Sequence, residues 1–236
     1  MTNTAKLALP LLQPSQAQKH VTVNEALSRL DALAALVLVS RSQATPPPAP
    51  AEGDVYGLPE AVGGVWAGKA GYLGVFLNGG WVFVMPLRGW RGWIADEHTL
   101  AVHDGKDWRA GALAVSQNRA ASFMMIREFD HALTVGPTST TAVSIPANVM
   151  VMAVTARVIA PLTGTLVSWR LGNAGAADRF GSGLGVAAGS FALGLLSAPM
   201  SYFTAESLLL TAEGGNFSGG VVRIAIHYFE PSLPEV

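Results

Sequence analysis

Val221-Val222-Arg223-Ile224-Ala225-Ile226-His227-Tyr228-Phe229 is the run that decides the fold. Val222, Ile224 and Ile226 share one parity, and Arg223 and His227 share the other. Polar residues confined to one parity, opposite a run of β-branched ones, predict a half-buried strand. Working back from it, further strands are predicted over 131–135, 142–145, 149–159, 164–171, 190–195 and 208–212. Gly, Pro and Asn separate them as turn residues do. Seven or eight short strands of this kind predict a jelly-roll-like β-sandwich over residues 116–236. The stretch 116–130 fits either a short helix or a strand entering that sandwich.

Upstream the character changes. Leu73-x-Val75 leads to Asn78-Gly79 and then Trp81; Leu100-x-Val102 leads to Asp104-Gly105 and then Trp108. Asn-Gly and Asp-Gly supply the positive φ angles of tight hairpins. Residues 46–115 are therefore expected to hold a Pro-rich spacer, Pro46-Pro47-Pro48-Ala49-Pro50, and a small Trp-rich β-hairpin module with a weak internal duplication.

Residues 1–45 read as an extended arm, Leu7 to Leu12, followed by a helix. Thr22 fits an N-cap and Glu25 completes a capping box. Val23, Ala26, Leu30, Leu33 and Val37 form a heptad-spaced seam, and Leu27 and Ala34 widen it. A seam this short is below the roughly three to four heptads of a coiled coil, and a helix this short is marginal alone. Leu9 and the seam residues are thus expected to serve attachment or oligomerisation. The expected class is mainly β: arm and helix, hairpin module, sandwich.

Composition excludes several functions. The chain carries 15 Lys and Arg against 16 Asp and Glu, for a net charge of −1, and its Lys and Arg are not clustered, so nucleic acid is not an expected partner. No cysteine is present, so disulfides and thiolate metal sites are excluded. With 26 Gly, 14 Pro and half its residues hydrophobic, the chain suits a turn-rich β protein. The N-terminus lacks the basic-then-apolar order of a signal peptide. Residues 180–205 are uncharged, with Gly181, Gly185 and Gly189 at small-xxx-small spacing. Their other Gly residues, Pro199 and the alternation of Phe191, Leu193 and Leu195 favour strand and loop over a membrane span.

The motifs LALPLL, QAQKHVTVNEAL followed by RLD, PAEGDVY, DRFGSGLGVAAGS and LTAEGGNFSGG, spread from Leu7 to Gly220, resemble one family. It is the uncharacterised fibre and spike family of alphaproteobacterial prophages and gene transfer agents. The resemblance implies a structural subunit on the surface of a phage-like particle, as head spike or tail fibre. It implies a homotrimer held through its N-terminus to a capsid or tail protein, and it carries no catalytic residue or cofactor.

No metalloprotease, nucleophile-elbow or phosphate-loop motif occurs. Asp96-Glu97-His98 with His103, Asp104 and Asp107 reads either as a metal or carboxylate site or as solvated turns, and Asp104 already serves its turn. The aromatic residues point instead to host cell-surface polysaccharide, since pyranose rings stack on exposed rings flanked by polar groups. Trp81 and Trp108 are expected in the core. Trp90, Trp93 and Tyr202 are expected on loops, as are Asn173, Asp178 and Arg179; these six are the candidate glycan-binding residues. Arg157, Arg170 and Arg223 either pair with acids across a subunit interface or face water. The expected function is non-enzymatic host attachment, against two alternatives: a capsule depolymerase using a carboxylate pair, or a purely structural adaptor.

Overall fold

The computed structural model describes residues 3–13 and 19–236. Gln16, Ala17 and Gln18 of the QAQKH motif lie outside the described residues. The chain is mainly β and divides into two compact units, Met1–Arg119 and Ala120–Val236.

The first unit holds the helix α1 (Lys19–Ala34) and strands β1 (Val37–Leu38), β2 (Val55–Gly57), β3 (Leu73–Leu77), β4 (Gly80–Val84), β5 (Arg91–Ile94), β6 (Thr99–His103), β7 (Trp108–Ala110) and β8 (Ala112–Val115). One sheet has the order β2-β3-β4 and another β1-β5-β6-β7, with β1 parallel to β5. The β3–β4 turn is the expected one: Asn78 and Gly79 both take positive φ, 52° and 76°. The β6–β7 connection differs. His103 pairs with Trp108, which leaves a four-residue loop in which the Asp104 carboxylate accepts the amides of Lys106 and Asp107.

Helix and hairpins share a core: Ala32, Leu36 and Leu38 pack with Val55, Leu73, Ile94 and Trp108. Trp66, fully buried, meets Trp81 edge-to-face at 4.9 Å and Tyr56 at 5.3 Å. Trp81 is half-buried and Trp108 buried. The proline run lies inside this unit, where Ala44 O accepts Gly63 N–H, so it does not separate the helix from the hairpins.

The helix begins at Lys19, before the expected cap, so Thr22 is an interior residue and Glu25 instead pairs with Arg29 one turn on, at 2.6 Å. The helix also ends early. Val37 lies on β1, and the seam divides: Val23, Ala26 and Leu30 are exposed, while Leu33 packs partly into the core. The buried side of the helix is carried by Asp31 and Ala32.

The second unit is a β-sandwich built from β9 (Ala121–Ala132), β10 (Thr138–Ile145), β11 (Val149–Gly164), β12 (Ser168–Asn173), β13 (Ala176–Leu184), β14 (Phe191–Ala192), β15 (Leu195–Tyr202), β16 (Glu206–Glu213) and β17 (Phe217–Pro231). One sheet has the order β10-β16-β12-β13; the other runs β14-β11-β17-β9, with β15 also on β11. Trp169, Leu171, Leu208 and Leu210 from the first sheet meet Val151, Val154, Ile224 and Ile226 from the second.

The ambiguous stretch 116–130 enters the sandwich as β9. Asp178 and Arg179, expected on a loop, stand on a strand, β13. Residues 180–205 fold as strands joined by loops, and no helix among the described residues is long and apolar enough to cross a membrane. The strand arginines find partners within the unit. Arg223 holds Asp130 with two hydrogen bonds, at 2.7 and 2.9 Å, and Arg170 pairs with Glu213 at 2.9 Å. Arg157 lies 5.7 Å from the Phe191 ring.

Candidate functional site

The site with the most complete polar geometry lies in the second unit, where strands from both sheets meet. Asn173 ends β12 and is 2 % exposed, so its amide must be satisfied internally. Its Nδ2 donates to the Tyr202 hydroxyl at 3.1 Å. Its Oδ1 accepts the Ala176 amide at 3.2 Å, closing the β12–β13 turn, and Arg179 Nε at 3.1 Å. Arg179 also points Nη1 at Met200 Sδ, 3.2 Å away on β15. A fixed amide thus orients a guanidinium whose remaining donors are unclaimed by these contacts.

Beside it is a shallow cavity of about 260 Å³, lined by Arg179, Met200, Tyr202, Phe203, Thr204 and Glu206 among others. The loop carrying Phe203 crosses from β15 in one sheet to β16 in the other. Phe203 is 79 % exposed. Burial pushes the Tyr202 phenol above its ordinary pKa, and Glu206 adds to this while Arg179 opposes it.

The structure brings together three of the expected residues, Asn173, Arg179 and Tyr202, on strands rather than on a loop. It corrects Tyr202, whose ring is buried; the exposed ring is its neighbour Phe203, which sequence reasoning missed. Residues one apart at a strand end face opposite ways, and an alternation pattern alone does not say which faces the core. Asp178 is exposed and does not line the cavity.

Trp90 and Trp93 are elsewhere, in the first unit. Trp93 stands on β5, not on a loop, between Val37 and Leu100 in register. It is 38 % exposed. The glycine beside it, Gly92, does not mark a loop. A Cβ at Gly92 would lie 3.1 Å from Leu36 Cγ, so this glycine allows helix-end and strand to approach rather than making a turn. Trp90 is half-buried against the first unit's core.

A second constellation went unread in the sequence. Asp31, the last residue of the RLD motif, is 2 % exposed and clasps the arm. It accepts Thr4 Oγ1 at 2.7 Å, the Lys6 amide at 2.8 Å and the Leu7 amide at 2.6 Å. Thr4 Oγ1 in turn accepts the Leu9 amide, which places Leu9 inside the clasp. Burial opposes the charged carboxylate, but the Thr4 hydroxyl and the two amides outweigh it and hold Asp31 below its ordinary pKa. Asn24 extends the clasp, taking the Leu12 amide and donating to the Leu12 carbonyl.

Three of the four acids of the 96–107 cluster are taken up by arginines, and Asp96 is exposed. Glu97 is gripped by Arg41 at 2.7 and 3.0 Å. Asp104, 2 % exposed, accepts Arg119 Nε at 2.9 Å, and Asp107 meets the same arginine at 2.7 Å. Among the described residues, no three His, Asp or Glu side chains gather to hold a metal ion. A Ser–His pair exists, His131 Nε2 to Ser139 Oγ at 2.8 Å, but Ser139 is 1 % exposed and already accepts the Thr134 amide.

Burial lowers the pKa of both His103 and His131 below the ordinary 6.5, in His103 against the opposing pull of Asp104. Folding therefore keeps these rings neutral where the unfolded chain would protonate them. Their contribution is present above the unfolded value and is lost as pH falls below it. The melting temperature is expected to drop between about pH 7 and about pH 5. His103→Phe, which keeps a ring against Trp108, should flatten part of that slope. A slope unchanged in the variant would exclude His103 as its source.

Comparison with known proteins adds three findings. No curated protein matches the chain. A solved structure titled "Cyanophage Pam1 capsid asymmetric unit" is similar over 47 % of this chain and 86 % of that one, at 23 % identity and a TM-score of 0.37. Residues 23–109, from within α1 to β7, match the family described as "Protein of unknown function (DUF2793)".

Proposed function

We propose that the chain is a non-enzymatic fibre or spike subunit on the surface of a phage-like particle, assembled as a trimer, whose β units bind host cell-surface polysaccharide. The clasp carries the attachment half of this reading. Two of the motifs behind the family resemblance, LALPLL and RLD, meet at a single buried carboxylate, Asp31, which fixes the arm along α1. That leaves Val23 and Leu30, 41 % and 60 % exposed, on a helix whose other side is already anchored. The fold does not need these two side chains in its core, so they are available to the particle protein that receives the N-terminus.

The cavity beside Phe203 supports the receptor half. A depolymerase would use a pair of carboxylates, and of those in the 96–107 cluster Glu97, Asp104 and Asp107 are engaged by Arg41 and Arg119, which favours binding over hydrolysis.

Deleting the N-terminal segment would remove Ala32, Leu36 and Leu38 from the first core, so point changes are the better test. The double variant Val23→Asp, Leu30→Asp should fold with a stability change within about 1 kcal/mol, as exposed substitutions usually do. Such chains should no longer appear on purified particles. Incorporation at wild-type levels would remove the helix from the attachment surface. Leu33 is unsuitable for this test, because it is partly in the core.

A further inference from the structure

The cavity beside Phe203 also indicates what kind of sugar it takes, an inference that rests on the glycan-binding reading above. Arg179 and Glu206 both line it. They do not pair: among the described residues no ion pair within 4.0 Å joins them, and Arg179 is instead tied to Asn173 and Met200. A guanidinium and a carboxylate thus face one space of about 260 Å³ without neutralising each other. The guanidinium donates and the ionised carboxylate accepts. Each hydroxyl of a sugar does both, so adjacent hydroxyls can accept from Arg179 and donate to Glu206 at once.

The third wall is Phe203, 79 % exposed, with no hydroxyl of its own to compete for those contacts. An exposed ring on a soluble domain offers an apolar face, which suits the C–H face of a pyranose. Phe203 also borders a second cavity, of about 280 Å³, walled by Met150, Phe229 and Pro231. Charge selects among sugars. A carboxylated or sulfated ring would gain from Arg179 but meet Glu206 in the same hollow, whereas a neutral ring meets no repulsion.

We infer that the Arg179–Glu206–Phe203 cavity binds one neutral hexopyranose unit of a surface polysaccharide, with vicinal hydroxyls bridging the two charged groups and the apolar sugar face on Phe203. Asn173 and Tyr202 are positioning residues: Tyr202 holds the Asn173 amide, and that amide holds the guanidinium.

The test is saturation-transfer NMR on the full chain with the methyl glycosides of glucose, galactose and mannose, and with glucuronate and galacturonate as acidic controls. At least one neutral glycoside should respond and the acidic ones should respond less. Phe203→Ala should weaken the response roughly tenfold or more, the scale of a central contact in a binding site. Glu206→Gln should narrow the gap between neutral and acidic sugars. Both variants change exposed or partly exposed side chains, and unchanged melting temperatures would confirm folding. A response to no neutral glycoside, a preference for the uronates, or a response that survives both substitutions would overturn the inference. Binding of capsulated cells by the full chain decides what else falls with it. If cell binding persists in Phe203→Ala, the receptor site lies elsewhere; if the wild-type chain binds no polysaccharide, the glycan-binding reading falls too.

Discussion

Asp31→Ala is expected to release the arm from α1 and to cost about 2–5 kcal/mol, the range for breaking a buried charged hydrogen-bond network. The carboxylate accepts three donors, two of them backbone amides that have no other acceptor in the clasp. Removing it strands those donors and also frees Thr4, whose hydroxyl holds the Leu9 amide. Asp31→Asn is a sharper control. It keeps the shape and one acceptor, but its NH₂ must face one of the donors. A loss in Asn that approaches the loss in Ala would show that charge and acceptor count, not volume, hold the arm.

Acid should act on the same group. Asp31 is held below its ordinary 3.8, so its contribution is complete above that value and is lost as pH falls through the lower folded one. Asp31→Ala should lack this part of the acid transition. Protease cleavage within residues 3–13 gives a direct readout of arm release. An arm that stays protected in Asp31→Ala would show that the apolar contacts of LALPLL hold it without the carboxylate.

Trp169→Ala is expected to be the most damaging single change in the second unit, at about 3–5 kcal/mol. The ring is fully buried between the two sheets, and its Nε1 donates to the Gly185 carbonyl at 2.9 Å. Truncation opens a large cavity in a core whose other members, among them Leu171, Ile224 and Phe217, are held on paired strands and cannot close over it. Trp169→Phe separates the terms. It keeps most of the apolar volume and loses the hydrogen bond, so it should cost about 1–3 kcal/mol, mostly from the carbonyl left unpaired. Urea unfolding followed by calorimetry measures both. A loss below about 1 kcal/mol for Trp169→Ala would mean that the sandwich repacks around the hole, against the dense core described above.

Much of the architecture was legible in the sequence because strand signals are local. The alternation of Val222, Ile224 and Ile226 with Arg223 and His227 marks β17, and Asn78-Gly79 marks a turn whose φ angles demand those residues. The same locality explains the errors. Trp93 is expected on a loop but stands on a strand, because the glycine beside it, Gly92, makes room for Leu36, a residue 56 positions away. The helix starts at Lys19 and not after Thr22, because Glu25 has two equally local uses, a capping box or a pair with Arg29, and only the folded chain chooses between them.

The candidate site divides in the same way. Asn173, Arg179 and Tyr202 were recognisable one by one as polar and aromatic residues near turns. What they do together depends on β12, β13 and β15 meeting where two sheets join, and on a one-residue parity that buries Tyr202 and exposes Phe203. By itself the sequence determined that this is a β protein with a short N-terminal helix, no cysteine chemistry and tight turns at defined places, since each of these follows from neighbouring residues. Tertiary structure alone decided that Asp31 would clasp an arm 24 to 27 residues before it, and that Arg179 and Glu206 would face one hollow unpaired. Contacts between distant residues are chosen by the packing of the whole core, which leaves no local pattern in the sequence to read.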